Sequence, residues 1–125
     1  SLALKDGKPF MVFGTPGGDQ QDQWSTLMFL HHADHRMNLQ ESIDCPAFHT
    51  DHFPSSFWPR AYQSKKVVLE GRFPDSTISE LKRRGHDIEI GEPWSEGRLT
   101  AASSDGSTLK AAANARGMQG YAAGR

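Results

Sequence analysis

A double glycine at the junction between an apolar run and a helical pattern is the part of this sequence best suited to chemistry. The stretch reads FGTPGGDQQDQW, from Phe13 to Trp24. A helix N-terminus presents backbone N–H groups that favour negative charge, and glycine adds positive φ and a backbone that a ligand can approach. Gly17 and Gly18 could therefore form an oxyanion hole, where one lost donor costs about 10²–10³ in rate. From the spacing alone, a tight turn without a ligand is the more usual interpretation.

The six histidines raise the question of a metal site. His31 and His35 lie four residues apart on one face of a predicted helix, and His49 and His52 flank Asp51. Zinc commonly combines histidine with carboxylate ligands. The spacing nevertheless fits no compact zinc signature, so we predict neither a metal nor any other cofactor. His31 and His32 are expected at a helix surface or an interface, and His49 is expected to pack in a loop.

Two further features have a structural and a chemical interpretation. Cys45 would need a histidine partner and a lowered pKa to act as a nucleophile, and its position before Pro46 favours a small buried residue instead. Four aromatic residues could form a lip that contacts a ligand, although a packed loop core is the more usual explanation: Phe48, Phe53, Phe57 and Trp58.

The composition excludes several classes of function. With 125 residues the chain forms at most one domain, and its formal net charge of -1 with scattered basic residues gives no reason to expect a nucleic-acid partner. No apolar run reaches membrane-spanning length, so no membrane partner is expected. The single cysteine excludes an internal disulfide and leaves the compartment open. Because the chain opens on SLALKDGKPF without Met, we expect a fragment or a processed piece.

The elements that must position these residues follow from apolar periodicity and turn signals. Asp19 is the predicted N-cap of the first helix, and residues 47–63 are predicted to form a packed irregular loop. Gly85 is expected to end the third helix, and the Gly-rich tail from Gly117 is expected to be flexible or to line a cleft. In chain order, we predict strands over Leu2–Lys5, Pro9–Gly14, Lys66–Glu70, Asp87–Ile90, Leu99–Ser103 and Thr108–Ala113, and helices over Gln20–Arg36, Asn38–Asp44 and Pro74–Arg84.

Motifs along nearly the whole chain resemble the γ-glutamyltranspeptidase family of N-terminal nucleophile hydrolases. DGKPFMVFGTPGG and MNLQESIDCPAFH are similar to the family's DGK hairpin, its G-S-P-G-G turn and its G-[LM]-N-x-x-E segment. FPDSTISELKRRGHDIEIG resembles a family helix that ends in Arg-Gly-His, and AAANARGMQGYAAGR resembles the A-D-P-R-x-x-G ending. Thr15 replaces the usual Ser, and HTDHFPSSFWPR is this chain's own elaboration.

The resemblance implies a fold. We expect an α+β fragment of the αββα sandwich of Ntn hydrolases, with central antiparallel strands, the first hairpin among them, and covering helices. Residues 1–125 would then be the C-terminal portion of the small subunit, which is an incomplete domain. Such a fragment would leave an apolar sheet face and strand edges uncovered.

The resemblance also implies site residues. It places the family's oxyanion-hole donors on the backbone N–H groups of Gly17 and Gly18, and it puts Asp19 near the pocket as a further substrate-binding candidate. The family's nucleophile is a Thr that autocatalytic cleavage exposes at the start of the small subunit, upstream of this chain. Ser1 then belongs to the first strand and is not a nucleophile, and the isolated chain is expected to be inactive.

The function implied is that of a γ-glutamyltranspeptidase-like amidohydrolase or acyltransferase, made as a zymogen. In the full enzyme the partners would be a γ-glutamyl or related amide substrate and the rest of the same precursor, with a homo-oligomer left open. Two alternatives remain open: a cephalosporin acylase-like amidohydrolase, and a catalytically dead scaffold or binding homologue. A Thr at the start of the parent's small subunit would separate the enzymes from the scaffold.

Overall fold

Two separate β-sheets and three α-helices form the described part of the chain, which is residues 1–116 and 120–124 of a computed structural model. A short 3₁₀ turn over Gly18–Gln20 precedes the first helix. The elements in chain order are β1 (Leu2–Lys5), β2 (Lys8–Gly14), α1 (Gln21–Ala33), α2 (Leu39–Asp44), β3 (Phe48–Thr50), β4 (Lys66–Leu69), α3 (Asp75–Arg83), β5 (Asp87–Ile90), β6 (Thr100–Ser104) and β7 (Leu109–Ala113).

The first sheet is antiparallel in the order β1-β2-β6-β7. Asp6 and Gly7 both take positive φ, 52° and 74°, which lets the two-residue turn follow the strand twist and close the predicted hairpin. Strand β2 is interior because it pairs with both β1 and β6. Of the two strands of the first hairpin, only β2 is central, because β1 lies at the edge of the described sheet.

Helices α1 and α2 cover one face of this sheet. Met28 from α1, together with Leu39 and Ile43 from α2, packs against the buried strand residues Met11, Ala101 and Ala112 and against Leu99, which directly precedes β6. On the opposite face Leu2 and Val12 are cross-strand partners, and they are 60% and 48% exposed. The described chain thus leaves one apolar sheet face uncovered, as a layer taken from a sandwich does.

The second sheet has the order β3-β4-β5 and corrects one prediction. Residues 47–63 are not wholly irregular, because Phe48–Thr50 forms β3 and pairs antiparallel with β4. Strand β5 is parallel to β4, and α3 makes the crossover between them. In β4 the side chains of Val67, Val68 and Leu69 are buried, which is typical of a strand covered on both faces.

The first helix is shorter than predicted at both ends. Asp19 is not its N-cap, because that residue lies in the 3₁₀ turn and α1 begins at Gln21. The helix ends at Ala33 instead of Arg36, which takes a left-handed φ of 57° while the Met37 N–H bonds to the His31 carbonyl. Over the described residues, no helix has the length and apolar character needed to cross a membrane.

Helix α2 begins with a complete capping box. The Asn38 side chain accepts a hydrogen bond from the Glu41 N–H, and the Glu41 carboxylate accepts one from the Asn38 N–H, both at 2.9 Å. We expect Asn38→Ala to weaken α2 locally by about 1 kcal/mol, because two N–H groups of the first turn lose their acceptor or its alignment. Hydrogen exchange of the α2 amides in the intact protein measures this. Asn38→Asp, which keeps an acceptor, is the control, and unchanged protection in Asn38→Ala would contradict the prediction.

Candidate functional site

The glycine turn follows directly from the end of β2. Gly17 and Gly18 have φ of 139° and 62°, so both occupy conformations that side chains disfavour. A methyl group on Gly17 would lie 2.5 Å from Trp24 Cζ3, and one on Gly18 would lie 3.3 Å from Phe57 Cε2. Glycine is therefore required here for backbone conformation and for space.

The amides of this turn have no acceptor in the part of the chain that the structure describes. Within residues 1–116 and 120–124, neither the Gly17 nor the Gly18 N–H donates a hydrogen bond. Thr15, at the beginning of the turn, is held in place by hydrogen bonds. Its Oγ1 accepts from the Arg98 N–H at 2.9 Å and donates to the Pro16 carbonyl at 2.8 Å. Two adjacent free N–H groups beside a helix start can receive an oxygen that carries negative charge.

The structure places Asp19 beside the turn but engages its carboxylate with the following loop. The carboxylate accepts hydrogen bonds from Ser55 Oγ at 2.7 Å, from the Ser56 N–H at 2.9 Å and from Ser56 Oγ. These bonds, those from Ser56 foremost, lower the pKa of Asp19 below its ordinary value. Asp19 also lines a surface cleft of about 620 Å³ with Gln23 and Arg60, so its contact with substrate stays a prediction.

The four aromatic residues do not form one packed cluster. Phe48 packs against Phe73, with ring centroids 6.3 Å apart. Phe53, Phe57 and Trp58 are instead 71%, 64% and 90% exposed, so the packed-core interpretation is wrong for these three. Because Asp19 holds the neighbouring serines, the loop lies over the glycine turn and brings the Phe57 ring against Gly18.

The remaining candidates lie apart from the turn or are engaged elsewhere. His31 and His35 contact each other on α1, with ring centroids 6.1 Å apart. In the part of the chain that the structure describes, no three His, Cys, Asp or Glu residues are grouped so that they could hold a metal ion. Cys45 is half-buried, and burial raises the pKa of its thiol despite Arg72 and Arg116 nearby, which is the opposite of an activated nucleophile.

Ser1 extends the first hairpin, as predicted. Its amino group donates to the Phe13 carbonyl at 2.7 Å, and the Phe13 N–H donates back to the Ser1 carbonyl at 3.1 Å. His49 departs from prediction because it lies on β3, where its ring meets Trp24 edge-on at 5.9 Å.

A buried carboxylate that the sequence reasoning missed lies behind the turn. Glu70 is fully buried and accepts from Arg116 Nε at 2.5 Å and Nη2 at 2.9 Å, from Arg72 Nη2 at 2.6 Å, and from two backbone N–H groups, those of Ala47 and Glu96. Burial alone would raise the pKa of Glu70, but the hydrogen bonds from Arg116, the Glu96 N–H and Arg72 outweigh it and lower the pKa. The only signal for this cluster was Arg116 in the C-terminal motif, without any indication of its partner.

Comparison with known proteins defines the class of this fold. A solved structure of a LmbA2991 variant superposes with a TM-score of 0.94 at 52% sequence identity, over 99% of this chain and 22% of that chain. The helices, the antiparallel first sheet and the mixed second sheet are a fragment of the N-terminal nucleophile hydrolase fold, which confirms the predicted α+β class. The family model for γ-glutamyltranspeptidase matches residues 1–124. The chain therefore belongs to the γ-glutamyltranspeptidase family.

Two curated relatives extend this comparison. The glutathione hydrolase-like YwrD proenzyme of Bacillus subtilis is 34% identical over 90 residues, which is 72% of this chain. The oxamate amidohydrolase proenzyme of Klebsiella pneumoniae is 37% identical over 93 residues, which is 74% of this chain. Both relatives are proenzymes, and the matched residues span only 16% of the length of each.

Proposed function

We propose that this chain is the C-terminal part of the small subunit of a γ-glutamyltranspeptidase-like amidohydrolase or acyltransferase. Its contribution to catalysis is the oxyanion hole, formed by the N–H groups of Gly17 and Gly18. One observation carries this proposal: two adjacent glycines with positive φ lie between the core strand β2 and helix α1, and their amides donate no hydrogen bond within the described residues. Such preorganised donors stabilise charge that develops in a transition state.

In this proposal the complete enzyme carries out the family's acyl transfer, and the glycine turn supplies the donors for the oxyanion. A Thr at the start of the small subunit attacks the amide carbonyl carbon, and its own α-amino group takes the hydroxyl proton. The carbonyl oxygen becomes an oxyanion, which accepts hydrogen bonds from the two glycine amides and lies near the positive end of α1. Collapse of the tetrahedral intermediate transfers the proton to the leaving amine and forms an acyl-threonine, which water or an acceptor amine then resolves.

The partner in this proposal is the remainder of the same precursor. The uncovered face of the first sheet, which carries Leu2 and Val12, and the exposed Leu109 at 84% are suited to burial against another apolar layer. Residues 1–125 then form an incomplete domain that is inactive alone. Self-association through the same face is the alternative occupant, and light scattering of the intact protein distinguishes it.

A second candidate concerns the acyl group. The oxamate amidohydrolase relative acts on a different amide from the one for which the family is named. This observation favours an amidohydrolase with another acyl donor as the alternative, and the structural likeness to a solved cephalosporin acylase supports a cephalosporin acylase-like one. A scaffold without catalysis is the third reading, and it requires a parent protein that lacks the Thr.

The test uses the intact precursor and the isolated chain in parallel. We expect mass spectrometry to show that the precursor cleaves itself before a Thr. We also expect the mature protein to hydrolyse a γ-glutamyl anilide, while residues 1–125 alone show no turnover. Hydrolysis of oxamate or of a cephalosporin side-chain amide instead would support the second candidate. A precursor that neither cleaves itself nor turns over any of the three amides would overturn the catalytic proposal.

A further inference from the structure

The indole ring of Trp24 lies between two glycine backbones. A methyl group on Gly17 would lie 2.5 Å from its Cζ3 atom, and a methyl group on Gly97 would lie 3.3 Å from its Cγ atom. Both glycines take positive φ, 139° and 74°. The ring therefore packs directly against two backbone segments, one of which carries the first proposed oxyanion donor.

A buried carboxylate fixes the orientation of this ring. Trp24 Nε1–H donates to Glu96 Oε2 at 3.0 Å, and the same oxygen lies 2.5 Å from His49 Nδ1. The Glu96 and His49 side chains are only 7% and 13% exposed. A hydrogen bond formed in such water-poor surroundings is electrostatically stronger than one exposed to water, so it holds the ring in one orientation.

Both ends of this network are themselves anchored. The Glu96 N–H donates to Glu70 Oε1 at 3.0 Å, which ties it to the buried cluster behind the turn. On the other side, His49 Nε2 lies 3.5 Å from Asp51. Two residues beyond Glu96, the Arg98 N–H donates to Thr15 Oγ1. Residues 96–98 thus hold the glycine turn in two ways. The Arg98 N–H bonds to Thr15 at the beginning of the turn, and Glu96 and Gly97 contact the Trp24 ring, which packs against Gly17.

We propose that Trp24, Glu96 and His49 form a brace that positions the Gly17 and Gly18 amides for the reaction. This inference rests on the proposed oxyanion role of the two glycines. The three are positioning residues, since the brace acts on the reacting atoms only through the turn. A turn with two left-handed glycines has many accessible conformations when it is unsupported, and catalytic donors that move by about 1 Å can cost about 10²-fold in rate.

The test is a set of variants in the intact, mature enzyme assayed on a γ-glutamyl anilide, or on whichever amide the wild type hydrolyses. We expect Glu96→Ala and Trp24→Phe each to lower kcat by about 10- to 100-fold and to change KM less than about twofold, because the donors act mainly on the transition state. Glu96→Gln keeps an acceptor for the indole N–H and is expected to restore most of the rate. Glu92→Ala, on the exposed surface of the same segment, is the control.

The outcomes separate this inference from the proposed function. Normal kcat in both Glu96→Ala and Trp24→Phe, with Gly18→Val inactive, would overturn the brace and leave the oxyanion hole standing. A loss that Glu96→Gln does not restore and that raises KM as much as it lowers kcat would reduce the brace to a structural role. If Glu96→Ala does not mature, the kcat values of Trp24→Phe and Glu96→Gln test the brace instead, because both variants keep a polar side chain at position 96. Normal kcat in Gly18→Val would overturn the proposed function itself.

Discussion

Replacement of Gly18 by valine in the intact enzyme is expected to lower kcat by about 10²-fold or more, the loss typical of a damaged oxyanion hole. Gly18 has φ of 62°, a conformation that β-branched residues rarely adopt. Its new Cβ would also lie 3.3 Å from the Phe57 ring before the two valine methyl groups are added. Relief of either conflict rotates the peptide planes on which the two donors lie.

Gly106→Val provides a matched control for this experiment. Gly106 also has a left-handed φ, 92°, but a Cβ there would meet no atom within 4 Å. It lies between β6 and β7, away from the glycine turn, so the same backbone strain is introduced without disturbing the proposed donors. Steady-state hydrolysis, with circular dichroism to verify folding and mass spectrometry to verify maturation, measures the difference. A folded, matured Gly18→Val enzyme with near-normal kcat would show that the double glycine forms a turn without a catalytic role.

Arg116→Ala is expected to destabilise the intact protein by about 3–5 kcal/mol, the usual cost of breaking a buried ion pair from one side. Arg116 is 2% exposed and Glu70 is fully buried, so the carboxylate would lose two hydrogen bonds without gaining water. The carbonyls of Ile43 and Cys45 would lose their guanidinium donor as well. Hydrogen exchange of the β4 amides measures the local effect.

Two comparisons make this stability prediction specific. Arg83→Ala removes an exposed arginine that pairs with Glu80 on α3, and it is expected to change little. The double variant Arg116→Met with Glu70→Gln is expected to be less destabilised than Arg116→Ala, because it removes the fully buried carboxylate and leaves only Arg72, whose side chain is 21% exposed, without its ion-pair partner. An Arg116→Ala protein with wild-type protection of β4 would show that the ion pair contributes nothing to stability.

The same cluster predicts how stability depends on pH. Because the pKa of Glu70 is lowered from its ordinary value of 4.5, the folded state binds this proton less readily than the unfolded chain. The resulting stabilisation is fully present above pH 4.5 and is lost as the pH falls through the lowered pKa. Acid unfolding of the wild type should therefore include a contribution that Glu70→Gln lacks.

Local signals predicted most of the secondary structure. The Asp6-Gly7 turn and the Gly85 stop each act through neighbouring residues, and the elements they bound lie close to where they were predicted. Strand β3 was missed because three residues, Phe48–Thr50, are too few to show an alternating pattern, and only pairing with β4 makes them a strand. The predicted N-cap of α1 was wrong because Asp19 bonds to Ser55 and Ser56 of a distant loop. The predicted end was wrong because Arg36 takes a left-handed φ and the Met37 N–H bonds to the His31 carbonyl.

The candidate site could be predicted only in part. The double glycine was visible because glycine has a distinct backbone requirement, although its catalytic role stays a prediction. Its surroundings were not visible, because Asp19 meets Ser55 across 36 residues and Trp24 meets Glu96 across 72. No periodic pattern in a sequence spans such separations. The loop over Gly18 and the brace against Gly17 could therefore be identified only in the folded chain.

The position of Arg116 in the chain has a consequence for the order in which this protein is built. Glu70 directly follows β4 of the second sheet, whereas its main partner comes three residues after β7, the last strand of the first sheet. Synthesis proceeds at about 5–20 residues per second, so Glu70 leaves the ribosome well before Arg116 does. The two sheets are joined at this point only when residue 116 arrives. The second sheet therefore lacks this connection until residue 116 has been made, and a truncation before that residue would remove it.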